Sequence, residues 1–411
     1  MKQALLTLGF VASLALAAPA AGSAKKGPGT FFAPVVQTGV RDATEDKPQS
    51  KVWYAAGRWW AWLPAAEGGG RVWRRIGPGQ WQPERHLDYL LGTLPGRADV
   101  WTGGGQVVAA LMEGRRLAVA SLRWHDGCGR YEPDVAPRQW EAASPVETVT
   151  LDRDADGTFW VAYPVAAKKG RQVVARRLPR SLRWPPGGPI VLADGIGGDE
   201  ICGFVAFGRA VGVMWSDQKR QSLFFRRHVL TGPDVAWQPV ETVAAGNQTA
   251  DDHINFCVPP TGQGVKLLAV TKTSLDKVGE PIFSLRVLDT ADRWRSVGFG
   301  TLTKDRDLTR PIVLWSSDRP VCAYTCRSPY RKPRRGSPPP YSVIETHAFG
   351  PDGFAPAGEP RVLIRAKAEI NNVTGPKAHP PGIPAVVLAS DADGGVYEGV
   401  IAPPAEPEGR R

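Results

Sequence analysis

Ile201-Cys202-Gly203-Phe204-Val205-Ala206-Phe207-Gly208-Arg209-Ala210-Val211-Gly212-Val213-Met214-Trp215 reads as two apolar strands joined by a Gly-Arg turn, and residues 222–229 add an alternating third strand. This phrase is one copy of a repeat. Short apolar strands ending in polar turns recur at residues 58–63, 117–122, 159–163, 210–215, 267–271, 320–324 and 384–388, spaced by roughly 40 to 65 residues. Second strands of alternating pattern follow at 72–76, 172–178, 222–229, 282–288, 341–348 and 396–401. Three or four strands in a unit of about 50 residues is the arithmetic of a propeller blade. No segment carries a ten-residue helical stripe with caps, so an α/β fold has little support.

The expected fold is therefore all-β: a single β-propeller of seven blades, with six as the alternative because the first unit is the least regular. A lone blade cannot bury both faces of its sheet, and radial stacking covers them. The 15 Trp, 13 Phe and 8 Tyr are expected to pack between blades. The last unit ends one outer strand short, and Phe31-Phe32-Ala33-Pro34-Val35-Val36 is expected to supply it and close the ring.

The 411 residues carry 42% hydrophobic side chains, too many for a disordered chain, and 46 Gly with 38 Pro make it rich in turns. Residues 1–24 read as a secretory leader, with Lys2 before an apolar stretch and small residues at Ala18, Ala20, Ser23 and Ala24. That stretch is shorter than the ~20 residues a membrane span needs, and Pro19 and Gly22 interrupt it. The expectation is an exported protein, secreted or periplasmic, with a propeller at 25–402, a disordered tail at 403–411 and no transmembrane segment after cleavage. A net charge of +11 favours anionic partners such as acidic polysaccharide or a cell-surface component. Nucleic acid has no motif behind it, and export argues against it. Cys128, Cys202, Cys257, Cys322 and Cys326 are odd in number and lack metal-ligand spacing, so buried thiols are expected.

Two segments, Asp152-Arg153-Asp154-Ala155-Asp156-Gly157-Thr158-Phe159-Trp160 and Ser390-Asp391-Ala392-Asp393-Gly394-Gly395-Val396-Tyr397, resemble the Asp-box turn of sialidase-like, or BNR-repeat, propellers. The family pattern, Ser-x-Asp-x-Gly-x-Thr-Trp, is matched loosely, and the Arg-Ile-Pro segment that opens the sialidase arginine triad is missing. The resemblance implies the fold and does not bring the activity. Asp152, Asp154 and Asp156 also stand at the alternate spacing that opens a calcium loop, with Tyr163 where a bidentate Glu belongs, so calcium is a weak candidate cofactor and no other is expected.

Inner strands of a propeller begin at one mouth of the channel, and the loops between second and third strands open on the same face. This places Glu200, Asp251, Asp252, His253, Asn255 and Arg310 at strand starts, and Lys272 and Tyr330 in those loops. Ala250-Asp251-Asp252-His253-Ile254-Asn255 is the sharpest cluster, because two carboxylates, an imidazole and an amide are costly to bury without partners. It reads either as a hydrogen-bond network tying blades together or as a ligand site. A glycoside hydrolase would draw on Glu200 and Asp252, and a lyase on His253 and Tyr330. The sequence contains no Gly-x-Ser-x-Gly, His-Glu-x-x-His, P-loop or dinucleotide fingerprint. The leading expectation is an exported binding or scaffold propeller with an anionic-carbohydrate site at the mouth. The alternatives are a carbohydrate-active enzyme on that face and a protein-interaction ring.

Overall fold

In the computed structural model, the described residues are 31–182, 186–233, 236–328, 341–351 and 353–402. The expected leader, tail and Tyr330 lie outside them. Seven antiparallel four-stranded sheets form the seven blades of a β-propeller. The first strand of each blade is innermost: Val52–Ala55, Arg97–Gly103, Thr150–Arg153, Cys202–Phe207, Ile254–Cys257, Asp307–Ser316 and Asn371–Thr374. First strands touch one another in order from blade 1 to blade 7, and the first strand of blade 1 meets the second strand of blade 7. Blade 7 takes its outer strand from Val36–Gln37, where Val36 pairs Val396 and Gln37 pairs Gly395. The closing strand is shorter and later than residues 31–36, because Phe32 bridges instead to Ala366 at the edge of blade 6.

The quoted repeat maps onto second strands in six of seven blades. In blade 2 the second strand is Gln106–Glu113, and residues 117–122 belong to the third, Arg116–His125. Both strands are buried and apolar between neighbouring blades, so hydrophobicity alone does not rank them.

Aromatic side chains fill the spaces between blades. Trp60, fully buried, meets Tyr131 at 4.9 Å between blades 1 and 2, and Trp160 meets Trp237 at 6.1 Å between blades 3 and 4. Arg75 joins blade 1 to Glu398 of blade 7 through two hydrogen bonds of 2.9 and 2.8 Å. The inner strands present one unpaired edge to the axis, and side chains from adjacent blades cover it. Leu151 N donates to Asp99 Oδ2 at 2.6 Å, Phe204 N to Thr150 Oγ1 at 2.9 Å, Ala206 N to Asp152 Oδ2 at 2.8 Å and Val313 N to Asn255 Oδ1 at 3.0 Å. All five cysteines are free, and four are buried while Cys128 is exposed. Among the described residues no helix is long and apolar enough to cross a membrane.

Both Asp-box-like turns share one wiring. Asp154 accepts from Thr158 N and from Trp160 Nε1, and Asp391 accepts from Gly395 N and the Tyr397 hydroxyl. Yet the first turn joins strands one and two of blade 3, and the second joins strands two and three of blade 7. They occupy non-equivalent blade positions and do not mark a repeat, so what is shown is the propeller without a sialidase-specific feature.

Trp60→Ala and Trp160→Ala should each destabilise by about 3–5 kcal/mol, since each empties a buried site between blades. Chemical denaturation of both variants checks this, and wild-type midpoints would contradict the packing described.

Candidate functional site at the channel mouth

Each connection from an outer strand to the next inner strand delivers its last residues close to the axis. Residues 246–253 do so for blade 5, and here Asp251, Asp252 and His253 converge. His253 Nδ1 lies 2.5 Å from Asp251 Oδ1 and 2.8 Å from Asp252 Oδ1. Lys272 Nζ, at the end of the second strand, donates to Asp251 Oδ2 at 2.6 Å. His253 Nε2 stands 3.4 Å from Thr309 Oγ1 of blade 6, the blade that Asn255 also engages. The imidazole is thus held at both nitrogens.

The mouth is crossed by the chain itself. Residues 38–51, the longest of the seven connections, run from the closing strand toward the axis before entering blade 1. Along the way Thr44 N bonds Ser390 Oγ, Lys47 Nζ pairs with Asp252 Oδ2, and Gln49 Nε2 donates to Val149 O at 2.8 Å. Lys51 N donates to Thr374 Oγ1 at 3.2 Å, and its fully buried Nζ donates to Gln49 Oε1 and Ala98 O. Burial lowers the Lys51 ammonium to about 8. From the opposite face Lys377 reaches Asp99 Oδ2 at 2.7 Å, and the residual channel cavity is about 40 Å³.

Burial by itself would raise the Asp252 carboxyl, but the hydrogen bond from His253 and the charges of His253 and Lys47 outweigh it and hold that carboxyl well below the usual range. Glu147 and Asp199, from the connections into blades 3 and 4, bring carboxylate oxygens within 4.8 Å of Asp252 and of each other. Burial raises Glu147, and the neighbouring Asp252 and Asp199 charges add to the shift against the opposing charge of Lys47.

The remaining candidates are more dispersed. Glu200 turns into its own blade and accepts from Gln218 N at 2.6 Å, so Asp252 is joined by Glu147 and Asp199 in its place. Arg310 sits at a bulge with φ 55° and lines a cavity of about 10 Å³ with Asp46, Lys47 and Asn372, room for about one water. Asp152, Asp154 and Asp156 do not converge: they serve Ala206 N, Trp160 Nε1 and the Arg209 guanidinium respectively. Sequence reasoning missed Lys47, Lys51, Glu147 and Lys377. The dense polar run Asp46-Lys47-Pro48-Gln49-Ser50-Lys51 was the available signal.

Around this acidic centre the loops between second and third strands of blades 3 and 4 are basic, while those of blades 1, 5 and 7 carry Glu67, Asp276 with Glu280, and Asp391 with Asp393. Lys168 and Lys169 of blade 3, Lys219 and Arg220 of blade 4, and Lys277 of blade 5 are exposed there. Lys168, Lys169 and Lys219 have no ion-pair partner among the described residues. Loops on the opposite face also mix signs, as in Arg209 with Asp156 and Arg319 with Asp318.

No protein-family model matches the chain, and no curated protein matches its sequence. Solved structures do share the fold. A polysaccharide lyase described as an ulvan lyase of a new family is 10% identical, covering 89% of this chain and 96% of its own, with a TM-score of 0.52. Its complex with -[GlcA(1-4)Rha3S]- gives 10% identity, the same coverage and a TM-score of 0.50. A second polysaccharide lyase is 9% identical over 86% of this chain and 90% of its own, with a TM-score of 0.46. At such identities the likeness defines a class by architecture, the seven-bladed propeller, and nothing finer.

Lys47→Met should destabilise by about 1.5–3 kcal/mol near neutrality, because it leaves the partly buried Asp252 carboxylate with His253 but without its lysine. That carboxyl is depressed in the folded state, so the ion pair contributes fully above the unfolded value of about 3.9 and is lost as pH falls through the lower folded value. Denaturation of both proteins at pH 7 should show this gap; equal stabilities would contradict the pairing.

Proposed function

We propose that this protein is an exported propeller that binds an acidic polysaccharide across the basic rim of its mouth face. The observation that carries the reading is the collection, on one face, of Lys168, Lys169, Lys219, Arg220 and Lys277, from loops far apart in sequence. Three of these lysines have no ion-pair partner among the described residues, so their charge is available to a polyanion. The clustered His253 supports binding over catalysis, since both of its nitrogens are engaged and Lys47 closes Asp252 beside it. The -[GlcA(1-4)Rha3S]- unit bound by one fold neighbour is of the same ligand chemistry.

Replacing Lys168, Lys169, Lys219 and Arg220 together with Ser should weaken binding to a soluble polyuronate such as alginate about tenfold or more. The melting temperature should stay near wild type, because these side chains are exposed. Affinity of the wild type should fall as salt rises from 0.05 to about 0.5 M. Equal affinity of variant and wild type would sink the rim as the binding surface.

One observation favours a second reading, a carbohydrate-active enzyme on the same face. Glu147, raised by burial, stands beside the depressed Asp252, and two carboxyls whose surroundings push their acidities apart are the pattern that divides acid from base in glycoside hydrolysis. Under that reading a polysaccharide screen would yield product with the wild type and none with Glu147→Gln; polymer bound without product assigns the protein to binding.

A further inference from the structure

A second pocket, of about 310 Å³, opens between blades 5 and 6, away from the acidic cluster at the axis. Phe299, Leu308 and the rings of Pro281, Pro356 and Pro360 form its apolar part. Tyr324 of the second strand of blade 6, His347 of the third and Arg306 of the connection between the blades line it from separate elements, together with Thr301, Thr303 and Glu359.

Two of them are buried and unmatched. The Tyr324 side chain is fully buried and His347 is 8% exposed, yet neither the phenol oxygen nor either ring nitrogen has a hydrogen-bond partner among the described residues. The Glu345 carboxylate comes near Tyr324, and the Glu359 carboxylate and Gly358 backbone near His347, without reaching hydrogen-bond geometry. A buried polar group left unmade costs stability, so three such atoms at one pocket mark a place where something other than this fold's own backbone is to be bonded. Burial lowers the imidazole below its usual range, which keeps it neutral near pH 7 with one donor and one acceptor nitrogen. Arg306 is pinned by Glu345 and by the Cys326 sulfur, 3.3 Å from Nε, so its guanidinium is fixed in place. No hydrogen bond joins its Nη1 to the described residues.

We propose that this pocket between blades 5 and 6 binds one hydroxylated, carboxylate-bearing ring, a uronate unit, with its hydroxyls on Tyr324 and His347 and its carboxylate on Arg306. The neutral donor–acceptor pair matches sugar hydroxyls, which both give and accept hydrogen bonds. A guanidinium matches a carboxylate better than a point charge does. The volume, near the low end of the ~300–1,000 Å³ of small-ligand pockets, suits a single ring and little more. The choice of a sugar among hydroxylated monoanions rests on the acidic-polysaccharide reading above; the site itself does not.

The test is calorimetric titration of the whole protein with free glucuronate, and with glucose as the neutral control. It is run on the wild type, Tyr324→Phe, His347→Gln and the four-residue rim variant. Glucuronate should bind the wild type and the rim variant alike, at least about tenfold more tightly than glucose, and Tyr324→Phe and His347→Gln should each weaken it about tenfold. Tyr324→Phe should melt at or above the wild-type temperature, since it removes an unpaired buried hydroxyl, so a loss of binding in that variant is not a loss of fold. No glucuronate binding, or binding unchanged in Tyr324→Phe, overturns the proposal, as does equal binding of glucose. Polymer binding that fails while glucuronate binding survives would overturn the rim and leave this pocket standing; the reverse pattern would do the opposite.

Discussion

The ring depends on a two-residue strand. Val36 and Gln37 pair with Val396 and Gly395, and through them a segment from before blade 1 completes the last blade. Val36, Trp59, Leu63, Trp81, Val386 and Val396 then form one apolar cluster that unites blades 7 and 1. Arg75, bound twice to Glu398, adds a charged clasp across the same seam. An open ring would expose both faces of that seam to water, so closure stabilises by burial far more than by its few ladder hydrogen bonds.

Closure also dictates what fills the mouth. The closing strand is the outermost of its blade and the next strand is the innermost of blade 1, so the chain must travel inward by about three strand spacings of ~4.8 Å. Residues 38–51 make that journey and cross the mouth near the axis, where Lys47 meets Asp252 and Lys51 is buried. Carboxylates gathered by the short connections into blades 3, 4 and 5 would otherwise repel one another. The strap supplies the opposite charge. A compact acidic centre capped by lysine, inside a basic rim, is thus a consequence of which loops lie near the axis and which lie far from it.

Much of this architecture was legible in the residues. Period, strand alternation and the missing outer strand pointed to seven blades and to closure by the N-terminal segment, because those signals are local and each blade repeats them. The blade 2 strand was misplaced since Gln106–Glu113 and Arg116–His125 are equally apolar, both being covered by neighbouring blades. Asp251, Asp252 and His253 were recognisable as a cluster because they adjoin in sequence. Their partners were not: Lys47 lies 205 residues from Asp252, and Glu147 comes from a third connection. The orphaned Tyr324 and His347 gave no sign at all, each looking like one more residue of a buried strand.

The sequence by itself determined the repeat, the all-β blades and the positions of turns, since hydrophobic period and turn chemistry act over a few residues. Only the tertiary structure decided which charges meet at the axis, which loops form the basic rim and which buried polar atoms go unpaired. Those properties depend on distances between blades, set when the ring closes, and no span of neighbouring residues encodes them.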